Sequence, residues 1–176
     1  MGLALLRARR VPGKTPLGTG VTHHRAWPWD TDMYGELNNG RILTLLELGR
    51  WELAVESGLL REMRRRRAAF AVAGVSVQYR RRVPIFARYR VETRPLGWDA
   101  RFLYIDQSMW MGDVAANQML LRAAIVGRNG TIPPGEIAAA LGHEGPSPEL
   151  PDWVRNWMEA EATRPWPPEP LNRALP

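Results

Sequence analysis

The sequence predicts an α+β domain made of one long helix and a meander of antiparallel strands. Three observations carry that reading. A long apolar run, residues 42–51, follows shortly after Asn38-Asn39 and has helical spacing. From residue 70 onward, apolar and polar residues alternate with a period of two in successive segments. The stretches between those segments carry the Gly, Pro and Asp that close turns.

Taken in order, residues 1–18 read as an irregular lead-in punctuated by Pro12, Gly13, Pro16 and Gly18. A first strand is expected over 21–29, ending at the Asp30-Thr31-Asp32 turn. The helix should start with Asn38 or Asn39 as its cap, because an asparagine side chain accepts from an orphan N–H of the first turn. It should stop at Ser57-Gly58. Ile42, Leu45, Leu46 and Leu53 form one stripe on it, while Leu43, Leu48 and Trp51 lie around other sides. A helix apolar on more than one side is buried on more than one side, here by the sheet and by a partner subunit.

Residues 59–69, with Arg64 to Arg67, read as a basic connector or short helix. Strands are expected over 70–80, 88–94, 101–107 and 114–126, with turns at 95–99 and at Gly112-Asp113. With the first strand this makes a sheet of about five. After the Asn129-Gly130 turn come two helical pieces, 136–141 and 151–158, and a proline-rich tail from Pro165. The division is therefore a lead-in over 1–18, one domain over 19–130, and a helical extension with its tail over 131–176.

Composition excludes several function classes. The chain has 176 residues, enough for one domain with a proper core. It has no cysteine, which rules out disulfides, thiolate nucleophiles and cysteine-based zinc sites. Its three histidines, His23, His24 and His143, lack metal-ligand spacing, so no metal is expected. No apolar run approaches a membrane span. The apolar residues 3–6 precede Arg7, Arg9 and Arg10, the reverse of a secretory signal, so a cytoplasmic location is expected. The net charge of +6 invites a nucleic-acid reading, but no nucleic-acid motif accompanies it. A single lysine, Lys14, stands among the basic residues, so arginine reads as compositional bias.

The segment 29–41 carries the chemistry. It places Asp30 and Asp32 in a turn just before a helix N-terminus. Free N–H groups of a first helical turn stabilise a carbonyl oxygen that gains negative charge. A carboxylate beside them can activate water or attack the carbonyl carbon. Acyl transfer needs both. The bland alternative is that the aspartates only form the turn and the asparagines only cap the helix. Glu47, inside the helix, reads as a charge paired with Arg50 or Trp51.

Asp30-Thr31-Asp32-Met33-Tyr34-Gly35-Glu36-Leu37-Asn38-Asn39 resembles the Asp-x-Asp-x-x-Gly-His-x-Asn-Asn signature of hotdog-fold acyl-CoA thioesterases related to 4-hydroxybenzoyl-CoA thioesterase. The likeness extends over about residues 20–130, through Tyr79 to Ile85 and through the Gly97-Trp98-Asp99 turn. It implies a single hotdog domain, a long central helix wrapped by a curved antiparallel sheet. It implies that Asp32 is the catalytic carboxylate, with backbone N–H groups at Asn39 and Gly40 polarising the thioester carbonyl. Asn38, Arg80, Arg81 and Arg82 are the expected substrate contacts, since arginine forks suit the phosphates of coenzyme A. No cofactor is implied, and a homodimer or homotetramer with sites at the subunit interface is. The sequence departs from the signature at Glu36, where the family often has histidine. The competing readings are a hotdog domain that binds acyl-CoA without cleaving it, and a basic nucleic-acid-binding protein.

Overall fold

The computed structural model describes residues 15–168. The lead-in up to residue 14, with the apolar and arginine residues of its first ten positions, lies outside them, as does the tail from residue 169. In chain order the elements are β1 (Gly20–Arg25), α1 (Asn39–Glu56), α2 (Leu59–Arg66), β2 (Ala69–Tyr79), β3 (Arg88–Trp98), β4 (Phe102–Met111), β5 (Val114–Gly127), β6 (Gly130–Ile132), α3 (Pro134–Ala140) and α4 (Asp152–Ala162). All strand pairings are antiparallel and the sheet order is β1-β3-β4-β5-β2, with the short β6 added to the end of β5. This is the hotdog architecture that the signature implied.

The alternation along the strands sorts their side chains into two cores. On the inner face Val91, Ile105, Met109 and Leu121 pack with Ile42, Leu45 and Leu46 of α1. On the outer face the neighbouring residues Tyr104 and Leu120 pack with Leu150 and with Val154 of α4. The central helix comes close to the sheet at Gly49. A Cβ built there would meet Thr93 Oγ1 at 2.9 Å and Val91 Cγ1 at 3.1 Å, so a hydrogen is all that fits. Beneath it the fully buried Gln107 donates 2.8 Å hydrogen bonds from Nε2 to the Leu46 carbonyl and to Thr93 Oγ1.

Three expectations need correction. The first strand stops at Arg25 rather than at Trp29, because Pro28 opens a single 3₁₀ turn, Pro28–Asp30. Residues 95–98 are not a turn. β3 runs through them with a bulge between Pro95 and Gly97, and Trp98 N–H donates to Ser147 Oγ at 2.7 Å. The C-terminal segment thus supplies a partner 49 residues away that local turn chemistry does not announce. The true turn is at 99–101, where Asp99 Oδ1 accepts from the N–H groups of Arg101 and Phe102. Finally, the Asn129-Gly130 turn is followed by β6, a strand the alternation pattern was too short to reveal.

Candidate active site at the start of the long helix

Residues 31–37 fold back as a small hairpin. Thr31 bridges to Leu37, Asp32 N–H donates to the Glu36 carbonyl at 2.8 Å, and Gly35 N–H donates to the Asp32 carbonyl at 3.1 Å. Gly35 has φ +72°, the left-handed conformation such a tight turn needs. Met33 and Tyr34 stand at its exposed tip. Asp32, half-buried, accepts the Tyr34 N–H at 2.9 Å through Oδ1. Its other carboxylate oxygen has no hydrogen-bond partner among the described residues.

The hairpin delivers the chain to α1. Asn38 is the N-cap: its N–H donates to the Asp30 carbonyl at 3.0 Å, and its Oδ1 accepts from Gly40 N–H at 2.9 Å and Arg41 N–H at 3.2 Å. The Asn39 N–H is left without an acceptor among the described residues. Of the two expected backbone donors, then, Gly40's is occupied by the cap and Asn39's is open. The Asn38 side chain is committed to capping.

Asp30 has a different setting. It is 3% exposed, and its Oδ1 accepts from Arg41 Nε at 2.6 Å. Arg41 therefore clamps the loop to the first helical turn, a role that sequence reading missed although it stands next to the motif. The buried Tyr89 phenol lies near this pair; burial first, and then the Asp30 charge, push its pKa well above the usual tyrosine range.

The end of β2 meets the same corner. Tyr79 hydroxyl donates to the Asn39 carbonyl at 3.2 Å, and partial loss of solvent raises its pKa. Leu37 N–H donates to the Val83 carbonyl at 2.9 Å, and Glu36 pairs with Arg82 Nε at 3.0 Å. The residue that replaces the signature histidine is thus tied to the basic run. Arg80, Arg81 and Arg82 are all exposed beside this corner, and Arg80 Nη2 donates to Gln78 Oε1 at 3.3 Å. The fold brings together Asp32, Asn38, Asn39, Gly40 and the 80–82 run at one end of α1. The other arginine run, 64–67, is placed on and just after α2, beyond the far end of the helix. Glu47 accepts the Trp51 indole N–H at 3.3 Å, one of the two partners expected for it.

The profile of the thioesterase-like superfamily matches residues 26–158. The chain belongs to that superfamily. The match contains the hairpin, the helix cap, every strand of the sheet except β1, and most of α4. Among curated relatives, Protein THEM6 of Drosophila melanogaster is 26% identical, covering 74% of this chain and 67% of that protein. Thioesterase lcsJ of Purpureocillium lilacinum is 44% identical over 55% of this chain and 41% of its own length. The chain thus spans from two thirds to less than half of the length of these relatives. Among solved structures, the probable thioesterase YbaW from Escherichia coli superimposes with a TM-score of 0.65 at 19% identity, covering 69% of this chain and 96% of that one. That likeness carries the fold. The superfamily and its thioesterase-named members support thioester hydrolysis, in general terms, for this chain. No described helix is long and apolar enough to cross a membrane.

Proposed function

We propose that the protein is an acyl-CoA thioesterase whose reacting groups are Asp32 and the first turn of α1. The observation that carries this reading is the pairing, at one corner of a thioesterase-family fold, of a carboxylate with an uncommitted oxygen and an open helix N-terminus.

The Asn39 N–H is the first donor to the thioester carbonyl oxygen. The Gly40 N–H stays with the Asn38 cap, which holds the first turn in place. Charge that develops on the oxygen is stabilised there, because these dipoles are already oriented. Asp32 takes a proton from water as the water oxygen bonds to the carbonyl carbon. The tetrahedral intermediate then collapses, the carbon–sulfur bond breaks, and the proton held by Asp32 passes to the departing sulfur, so that coenzyme A leaves as the thiol. The alternative route has Asp32 attack directly and water open the resulting anhydride. Single turnover in ¹⁸O-labelled water detects the anhydride route when water attacks the aspartyl carbon, since only that attack leaves label in the Asp32 carboxylate. Arg80, Arg81 and Arg82 are exposed beside the corner and suit the phosphates of coenzyme A.

We also propose that the protein acts as a homodimer or homotetramer in the cytoplasm. β2 is an edge strand that exposes Val72, Val75 and Tyr79. Pairing with a second copy would satisfy that ladder and cover those side chains. Light scattering tests the assembly; a fully active monomer contradicts it.

The function itself is tested with a panel of acyl-CoAs and a thiol-reactive dye. Release of coenzyme A from at least one member is the expected result. Saturable acyl-CoA binding with no thiol release would make this an acyl-CoA-binding domain instead, and salt-dependent retention of duplex DNA with no thiol release would favour the nucleic-acid reading.

A further inference from the structure

Under the second half of α1 lies a cavity of about 340 Å³, walled by α1, α2 and residues of β2 to β5. Leu53, Ala54, Leu60, Met63, Leu103 and Leu121 line it. An apolar cavity of about 150 Å³ takes up a benzene ring, so this one has room for an aliphatic chain of roughly ten to twelve carbons. Neither Asp32 nor the 80–82 run lines it; it is separate from the corner described above.

One part of its wall is charged. Arg50 lines the cavity, is not fully exposed, and donates from Nη1 to Gln107 Oε1 at 2.6 Å. Gln107 is itself fixed by its bonds to Leu46 and Thr93, so the guanidinium is held by a rigid, fully buried acceptor. A guanidinium has five N–H donors, and this is the one side-chain hydrogen bond it makes among the described residues. No described carboxylate forms an ion pair with it. Glu47 also lines the cavity but is exposed and accepts from Trp51. Burial lowers the Arg50 pKa, with Glu47 pulling the other way, which fits a cation partly withdrawn from water. A planar fork at the edge of an apolar cavity fits a carboxylate bidentately.

We propose that this cavity is a binding site for a medium-chain fatty acid, its tail among Leu53, Leu60, Met63 and Leu121 and its carboxylate on Arg50. The inference does not rest on thioester hydrolysis, although a free acid is the product class that such hydrolysis would release.

The test is isothermal titration of the full chain with octanoate, decanoate and dodecanoate below their micelle concentrations, with dodecanol as the uncharged control. The expected result is one site per chain. Kd should tighten about fourfold per added methylene, the increment for burying one CH₂, up to about twelve carbons. Dodecanol should bind at least tenfold more weakly than dodecanoate. Arg50→Met should abolish that difference, while Arg64→Gln, at an exposed arginine that also lines the cavity, should leave most of it. Circular dichroism checks that Arg50→Met folds. If it does not, the wild-type chain-length series and the alcohol comparison decide alone. Affinity independent of chain length, or equal affinity for acid and alcohol in the wild type, overturns the proposal. Acyl-CoA cleavage by the same preparation is measured in parallel: cleavage without fatty-acid binding defeats this inference alone, and binding without cleavage defeats the thioesterase reading alone.

Discussion

The first turn of α1 and its middle are held in opposite ways. At the first turn the polar fastenings come from nearby in sequence or from the exposed corner. Asn38 caps its own helix, Asp30 clamps Arg41, and the 31–37 hairpin closes on itself. In the middle the fastenings are distant and buried. Gly49 lies against Thr93 and Val91, and Gln107 reaches across from β4 to the Leu46 carbonyl. The difference suits the proposed chemistry. Backbone N–H groups that must meet a substrate have to stay at the surface, so the helix is anchored well away from them. At 1.5 Å per residue, Gly49 stands roughly 15 Å along the axis from the start of the helix.

Substitutions can break each half separately. The largest stability loss is expected for Gly49→Val, which forces two methyl groups into the space of Thr93 and Val91; the cost should be near the top of the roughly 1–3 kcal/mol typical of overpacking. Urea denaturation measures it. Asp30→Asn should come next, about 1–3 kcal/mol, because it weakens a buried charge-assisted hydrogen bond whose partner Arg41 can still reach water. Asn38→Ala should cost about 1 kcal/mol of stability as a lost cap. If Gly49→Val proves milder than Asn38→Ala, the middle of the helix is not the anchor.

The smallest effect concerns pH and lies outside both halves. His24 Nε2 lies 2.7 Å from Thr22 Oγ1, and its ring stacks on Tyr89 at 5.5 Å. Burial, and then the neighbouring His23, lower its pKa below the ordinary 6.5. The unfolded chain therefore takes up this proton first as pH falls. The His24 contribution to stability is complete above pH 6.5, declines below it, and levels off once pH passes the folded-state value. His24→Asn should flatten that portion of a stability-versus-pH curve.

The first-turn half was largely legible in the sequence because its signals are local. Asn38 lies within two and three residues of the N–H groups it caps, and Asp32 within two of the N–H that its carboxylate accepts. Helix start and stop, the strand alternation and the Gly112-Asp113 turn are short-range signals of the same kind. What the sequence concealed depends on pairs far apart along the chain. Ser147 turns residues 95–98 from a turn into a bulged strand, and Gln107 fixes Arg50 from another element. The occupied Gly40 N–H was also hidden, since choosing between Asn38 and Asn39 as the cap decides which donor stays open.

The central claim, that Asp32 at the open helix start performs thioester hydrolysis, is tested most directly by kcat for the best acyl-CoA in the wild type, Asp32→Asn and Asp30→Asn, with thermal unfolding recorded for each. Asp32→Asn should melt near the wild type and lose about a hundred- to ten-thousand-fold in kcat, the range typical of a lost general base. Asp30→Asn should lose more stability and much less turnover. Near-wild-type turnover by a folded Asp32→Asn protein would contradict the claim.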